Sequence, residues 1–324
     1  MPGRITLALT VAVTVVSLSA CLNNGAPAQS SSTSAAAPVA SPAAATPQPG
    51  GGTDAALAAR LREICVRAGG ECGVAVTHVE SGRVADVEGG RRQPLYSVFK
   101  LPLAVAVLQD VEAGKLALDQ KVRVEPEEAV PGVKANSDLW LKPSDKTIRE
   151  LLEFSIARSD NTSSDKMLEL VGGPAVVTER MRALGLRDIE VRSNVREFLK
   201  SKDAHPNNGS ANDLARLLVR LQKGEVLQPA QLEVLLGLMG RAVTGDKRLR
   251  AGPPAGTPVA EKTGTGPSTT NDVGLITLPE GKGHLAMAVL LNGSKLSAEE
   301  QEKLTAELAR AAYDAHVARP ASGY

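Results

Sequence analysis

Ser97 and Lys100 stand three residues apart at the start of an apolar run that extends from Leu101 to Val111. Residues at this spacing in a helix lie one turn apart on the same face, so the lysine amine comes within hydrogen-bond reach of the serine hydroxyl. A desolvated, neutral lysine can accept the hydroxyl proton and make the serine a nucleophile. Because Ser-X-X-Lys also occurs by chance as a solvated pair, the pattern needs support from elsewhere in the chain.

Two further motifs supply that support. Ser159-Asp160-Asn161 lies within a helical region, and Lys262-Thr263-Gly264 lies on a late predicted strand. The three motifs, in this order, resemble those of the class A serine β-lactamases and the related penicillin-binding proteins. The resemblance spans roughly residues 57–313, which is the whole of the predicted globular part.

The resemblance implies a role for each motif residue. Ser97 would attack the lactam carbonyl with Lys100 as the neighbouring base, and Ser159 would relay a proton to the leaving nitrogen, helped by the charge of Lys262. Asn161 would contact the side-chain amide of the substrate. The N–H groups of Ser97 and Thr265 would form the oxyanion hole. The substrate carboxylate would be bound by the residues of the late strand and by one arginine before it: Lys262, Thr263, Gly264, Thr265 and Arg248.

Two of these comparisons concern single residues. Arg248 matches the place where some class A enzymes carry an arginine near the carboxylate pocket. The alternative is a surface arginine beside Lys247 and Arg250. Asp165, four residues after Asn161, matches a subgroup that carries aspartate where most members carry asparagine.

One residue that the resemblance leads us to expect is missing. Class A enzymes hydrolyse the acyl-enzyme with a glutamate on a loop after the helical region, and an ungapped count from Asp165 places Val195 there. A valine cannot orient or deprotonate a water. Glu197, two residues later, is therefore either a displaced catalytic base on a rebuilt loop or an ordinary loop carboxylate paired with Arg196 or Lys200.

The N-terminus has the pattern of an exported lipoprotein. Residues 1–21 form a short signal peptide that ends in Leu18-Ser19-Ala20-Cys21, which resembles a bacterial lipobox with Cys21 as the lipidated residue. The alternative is an ordinary secretory signal that happens to contain a cysteine. Residues 22–53 are rich in Ala, Pro, Ser and Gly and predict a disordered tether. We therefore expect a catalytic domain over 54–324, tethered to the outer face of the cell membrane, or else secreted or periplasmic.

Cys65 and Cys72 are the two cysteines of the predicted domain. One falls in the last turn of a predicted helix and the other opens a strand, so a disulfide is possible geometrically, and export favours oxidation. Two unpaired buried thiols are the alternative. Two cysteines without a nearby histidine pair do not predict a metal site.

Composition narrows the function classes. The formal charge is +1, and basic runs interleaved with aromatic residues are absent, which argues against nucleic acid as a partner. The sequence shows no Gly-rich phosphate loop and no metal-like histidine spacing, so we expect no cofactor and no metal.

The pattern of elements predicts an α+β fold. Strand patterns lie at both ends of the domain, and the region 151–236 is helical. An antiparallel sheet flanked by the N- and C-terminal helices, with a mostly helical second lobe, accounts for this order. The predicted function is opening of β-lactam rings through a Ser97 acyl-enzyme, by a monomer. The alternatives are a penicillin-binding or D-Ala-D-Ala peptidase-like protein with slow deacylation, or a catalytically weak module that binds cell-wall ligands.

Overall fold

The computed structural model describes residues 51–136, 138–201 and 206–319. The predicted signal peptide, Cys21 and the predicted tether up to residue 50 lie outside the described residues. The last three tether residues belong to the folded part, because Thr53 forms a parallel bridge with Val84. Asp54 then caps the first helix by accepting a hydrogen bond from the N–H of Leu57 at 3.0 Å.

A five-stranded antiparallel sheet joins the two ends of the domain, which confirms the predicted fold class. Its order is β2-β1-β9-β8-β7. The strands are β1 (Glu71–His78), β2 (Val84–Val87), β7 (Val259–Gly266), β8 (Thr269–Thr277) and β9 (His284–Asn292). β9 is apolar along nearly its whole length because both faces of the sheet are covered.

Alternate residues of β9 point into two separate cores. Ala286, Ala288 and Leu290 face the helical lobe, whereas Met287 and Val289 face the terminal helices. The terminal helices are α1 (Ala55–Val66) and α9 (Ala298–Val317). They pack together on one face of the sheet, as predicted.

The segment between β2 and β7 is mostly helical, and α2 lies at its centre. Its helices are α2 (Lys100–Glu112), α3 (Ile148–Ala157), α4 (Asn161–Leu170), α5 (Pro174–Ala183), α6 (Val195–Lys200), α7 (Ala211–Gln222) and α8 (Pro229–Gly240). Two short strand pairs, which the sequence pattern did not predict, connect these helices: β3 (Arg92–Pro94) with β6 (Asn208–Ser210), and β4 (Lys121–Val124) with β5 (Ser144–Thr147).

The two cysteines of the domain are joined by a disulfide between the end of α1 and the start of β1. Cys65 and Cys72 are both buried in the core beneath the terminal helices. Within the described residues, none of the helices has the length and apolar character needed to cross a membrane.

Candidate active site

Ser97 lies in a short 3-10 turn, Tyr96–Phe99, that leads directly into α2. The N–H of Val98 donates to the carbonyl of Leu95 at 3.1 Å and closes the turn. Tyr96 has a φ of 48°, a left-handed backbone conformation that residues other than glycine seldom adopt. Ser97 itself is half-buried, so its hydroxyl is reachable from solvent.

Lys100, the first residue of α2, is fully buried because α2 is covered by neighbouring elements on almost every side. Burial lowers the pKa of Lys100 from 10.5 to about 7, since removal from water disfavours the charged amine. The carboxylates of Asp160 and Asp165 act in the opposite direction and keep the pKa from falling further. Lys100 can therefore exist as a neutral amine near pH 7.

The hydrogen bonds of Lys100 lead to the Ser-Asp-Asn motif. Its Nζ donates to the backbone oxygen of Ser159 at 2.7 Å and to Oδ1 of Asn161 at 2.8 Å. The spacing predicts a hydrogen bond between Nζ of Lys100 and Oγ of Ser97. Among the described residues, Nζ makes other hydrogen bonds but not this one. The amine instead faces two oxygen acceptors from the neighbouring motif.

Ser159 lies between two buried lysines. Its backbone oxygen accepts from Lys100, and its Oγ accepts from Nζ of Lys262 at 3.0 Å. Ser159 has a φ of 55°, a costly conformation that persists where surrounding contacts enforce it. Lys262 is also fully buried, and its pKa is well below the usual value, first because of burial and then because of the nearby charge of Lys100. We call Lys100, Ser159 and Lys262 the two-lysine cluster.

Asn161 begins α4, whose cap is built by Asp160. Oδ1 of Asp160 accepts from the N–H and the hydroxyl of Ser163 at 2.7 and 2.5 Å, and both carboxylate oxygens accept from the indole N–H of Trp140 at 3.2 and 3.3 Å. The amide nitrogen of Asn161 donates to the carbonyl of Pro131 at 2.6 Å. Asn161 thus bridges Lys100 and the loop before α3.

β7 brings the third motif alongside the turn that carries Ser97. Gly264 is in close contact with that turn, because a Cβ atom at this position would lie 2.4 Å from the carbonyl oxygen of Leu95. Only glycine leaves room for this approach. The hydroxyl of Thr263 shares a hydrogen bond of 2.7 Å with Thr244, and Thr265 is exposed at the end of the strand.

Arg248 reaches β7 from the segment before it. Its guanidinium donates to Oγ1 of Thr265 at 2.8 Å and to the carbonyl of Asn271 at 3.1 Å. Glu302 on α9 accepts from it at 3.3 Å. Since Arg248 is only 6% exposed, the alternative of a surface arginine is wrong.

Asp165 fixes the start of α6. Its two carboxylate oxygens accept from the N–H of Val195 at 2.7 Å and from the N–H of Arg196 at 2.9 Å. Burial raises the pKa of Asp165, while these two hydrogen bonds and the charge of Lys100 act to lower it. Asp165 therefore holds the backbone of Val195 while its carboxylate interacts electrostatically with Lys100.

The structure does not bring Glu197 into that cluster. Glu197 lies in the first turn of α6, is exposed, and receives a weak hydrogen bond of 3.4 Å from the hydroxyl of Ser193. Its own N–H donates to Oδ1 of Asn194 at 2.8 Å. Arg196, one of its two expected partners, donates instead to the carbonyl of Glu127 at 3.0 Å. A catalytic role for Glu197 remains a prediction.

The contacts of two residues in this region could not be predicted from the sequence. Thr244 was not predicted because its contact with Thr263 depends on the path of a connecting segment. Asn271 donates to the carbonyl of Pro94 at 2.8 Å and accepts from the N–H of Leu291 at 3.1 Å, which ties the chain before Ser97 to the sheet. Only the strand register shows that it can do so.

Comparison with known proteins agrees with this arrangement. The family model described as "Beta-lactamase enzyme family" matches residues 56–316. The extended-spectrum β-lactamase PER-1 of Pseudomonas aeruginosa is 34% identical over 233 residues, which cover 68% of this chain and 74% of PER-1. The chain belongs to the class A β-lactamase family. It is a serine hydrolase that acts on β-lactams.

Solved structures of class A β-lactamases share its fold. A β-lactamase from Chitinophaga pinensis superimposes with a TM-score of 0.77 at 33% identity, covering 80% of this chain and 99% of that one. A variant of the class A β-lactamase of the last common ancestor of Gram-negative bacteria gives a TM-score of 0.75 at 34% identity, covering 82% and 100%.

Proposed function

We propose that this β-lactamase opens its substrate by acyl transfer to Ser97, with neutral Lys100 as the base. The observation that carries this proposal is the burial of Lys100, which lowers its pKa to about 7. Lys100 is the first residue of α2, the helix that directly follows the turn with Ser97. A base works best when its pKa lies near the working pH. Ser97 is half-buried and can meet a substrate, whereas Lys100 is excluded from water. A nucleophile must be accessible, and a lysine must be desolvated to act as a neutral base.

Ser159 is suited to deliver the proton to the leaving nitrogen. Its hydroxyl accepts from Lys262 at 3.0 Å, so it can pass its own proton onward while Lys262 stabilises the charge that develops. The N–H groups of Ser97 and Thr265 would bind the developing oxyanion, and Asn161 the side-chain amide of the substrate. The close approach of Gly264 to the Ser97 turn supports the pairing of these two backbone segments.

The substrate carboxylate would be bound at the end of β7. Arg248 supplies positive charge there, Lys262 supplies a buried amine donor, and Thr263 and Thr265 supply hydroxyl groups. Charge-assisted hydrogen bonds of this kind are about twice as strong as neutral ones. Arg248 already donates to Thr265, so an anionic ligand would complete an existing network.

Intact-protein mass spectrometry during reaction with a chromogenic cephalosporin tests this function. We expect a mass adduct on Ser97 that forms rapidly and is then lost as product is released. Ser97→Ala should give neither adduct nor hydrolysis. An adduct on another residue would contradict the assignment.

A second candidate is a long-lived acyl-enzyme, as in a penicillin-binding or D-Ala-D-Ala peptidase-like protein. The two carboxylates that act on Lys100 are already engaged: Asp160 caps α4, and Asp165 holds the start of α6. Both carboxylates therefore already serve as hydrogen-bond acceptors that hold helix starts in place. Val195 has no polar side-chain atom at the position where a class A enzyme carries its glutamate.

Val195→Glu tests this second candidate directly. The new carboxylate would stand at the first residue of α6, whose N–H is held by Asp165. If deacylation is slow because this position lacks a base, the variant should release the acyl group about 10²- to 10⁴-fold faster. Val195→Gln is the matched control, since it has the same size without the carboxylate. Equal deacylation rates in the wild type and both variants would argue against this candidate.

We also propose that the enzyme is exported, is anchored through a lipid on Cys21, and works as a monomer. The lipobox-like sequence and the composition of residues 22–50 support the anchor. Hydrogen bonds within one chain already join Lys100, Ser159 and Lys262, so the site needs no second copy to form. Cys21→Ser should release the protein from the membrane fraction with its activity unchanged. Membrane association that persists in this variant would contradict the lipid anchor.

A further inference from the structure

Glu261 and Asp272 form a buried pair of carboxyl groups behind the carboxylate pocket. β7 and β8 pair Glu261 with Gly274 and Thr263 with Asp272, so both acidic side chains lie on the sheet face opposite to that of Lys262. Both are 0% exposed. Burial and the charge of Asp272 raise the pKa of Glu261, and a hydrogen bond to Asp272 adds to the effect.

Burial raises the pKa of both carboxyl groups, to about 10 for Glu261 and to about 6 for Asp272, which favours a proton on the pair. Among the described residues, neither carboxylate oxygen of Glu261 receives a hydrogen bond from an N–H or hydroxyl donor, and the same holds for Oδ1 of Asp272. Two adjacent charged carboxylates with so few donors around them are costly in a buried site, whereas a neutral Glu261 can donate its proton to Asp272. The arginines and the lysine whose charges act on the pair are Arg248, Arg250 and Lys262.

The pair contacts the segment that carries Arg248 at three points. Oδ2 of Asp272 accepts from the N–H of Leu249 at 3.1 Å, and Oε1 of Glu261 lies 3.4 Å from the guanidinium of Arg250. A Cβ atom on Gly245 would lie 2.9 Å from the same Oε1, and the φ of Gly245 is +93°. The segment 245–250, which we call the arginine segment, is therefore held directly against the two acids.

We propose that Glu261 and Asp272 are positioning residues that hold the arginine segment so that Arg248 faces the carboxylate pocket. This inference rests on the proposed role of Arg248 in binding the substrate carboxylate. Asp272 anchors the backbone on the C-terminal side of Arg248, and Glu261 fills the space between that backbone and β7. Loss of either acid should let Arg248 move away from Thr265.

Steady-state kinetics with two substrates test the proposal. One is a cephalosporin with its free carboxylate, and the other is the methyl ester of the same compound, which lacks the charge that Arg248 would bind. For the free acid, we expect Asp272→Ala and Glu261→Ala to raise KM about 10- to 100-fold, the range for loss of a charge-assisted contact, with kcat changed much less. For the ester, KM should stay within about twofold of the wild type.

Glu261→Gln gives the conservative comparison. Its amide can donate to Asp272 as the protonated acid does, so KM for the free acid at pH 7 should remain within about threefold of the wild type. Asp246→Asn is the control, because Asp246 is an exposed carboxylate in the same arginine segment. It should leave both KM values unchanged. Circular dichroism and thermal unfolding establish that each variant is folded, and Asp272→Ala serves if Glu261→Ala does not fold.

Arg248→Gln distinguishes a failure of the proposed Arg248 role from a failure of the proposed positioning role. If this variant leaves KM for the free acid unchanged, the proposed role of Arg248 is wrong. If it raises KM while Asp272→Ala and Glu261→Ala do not, the positioning role of the acid pair is overturned. If the acid variants raise KM equally for the acid and the ester, they act on the whole site, and the positioning proposal is again overturned.

Discussion

The lowered pKa of Lys100 predicts a specific pH dependence of acylation. With a pKa of about 7, roughly one-eleventh of Lys100 is neutral at pH 6 and roughly ten-elevenths at pH 8. The sign follows from the role of the group, since only the neutral amine can accept the proton of Ser97. The maximal rate of acylation should therefore rise about tenfold from pH 6 to pH 8 and level off above that.

Rapid-quench mass spectrometry of the Ser97 adduct at saturating cephalosporin measures this rate separately from substrate binding. Saturation matters because the rate then no longer depends on how tightly the substrate binds at each pH. Lys100→Ala should lower the acylation rate about 10²- to 10⁴-fold and remove the rise with pH. Lys121→Ala, which removes an exposed lysine on β4, should keep the wild-type profile. A rate that is flat or falls from pH 6 to pH 8 would refute Lys100 as the base.

Three further predictions concern single positions. Ser97→Ala should abolish covalent labelling in an intact-mass assay, and labelling that survives would move the nucleophile elsewhere. Glu197→Gln should change steady-state turnover by less than about threefold, because the Glu197 carboxylate is exposed and away from the two-lysine cluster. If an acyl-enzyme is trapped in this variant, Glu197 is the base that deacylates it. Gly264→Ala should lower both thermal stability and acylation, because its Cβ would lie 2.4 Å from the carbonyl oxygen of Leu95; unchanged values would show that β7 and the Ser97 turn can separate without cost.

Much of the fold follows from patterns that are local in the sequence. The strands at both ends of the domain have alternating apolar and polar residues or are continuously apolar. As predicted, a strand from the C-terminal end, β9, pairs with β1 from the N-terminal end. The long amphipathic pattern at the C-terminus became α9, capped by Ser297. These elements could be predicted because each depends on periodicity and on nearby turn residues.

The parts that could not be predicted depend on register and on loop paths. The β3 and β6 strands have three residues each, which is too short for a periodic pattern. They pair although more than a hundred residues of the helical lobe separate them in sequence. The contact between Glu261 and Asp272 exists only because the β7–β8 register sets them diagonally on one face. The sequence separates these two acids without any motif that links them.

The orientation of Glu197 also could not be predicted from the sequence. An ungapped count identified Val195 as the residue at the expected place, and the hydrogen bond from its N–H to Asp165 shows how that place is held. Whether a side chain two residues later faces inward depends on the turn of α6, which composition does not determine. The exposed face of α6 carries Glu197 in this structure.

The central claim is that the hydroxyl of Ser97 becomes acylated by a β-lactam and is then freed by hydrolysis. Time-resolved intact-protein mass spectrometry of the wild type with a chromogenic cephalosporin, followed by peptide mapping of the adduct, tests this claim most directly. We expect a single adduct that maps to Ser97 and whose loss accompanies release of the ring-opened product. The absence of any adduct under conditions where substrate is consumed, or an adduct that maps to a different residue, would contradict it.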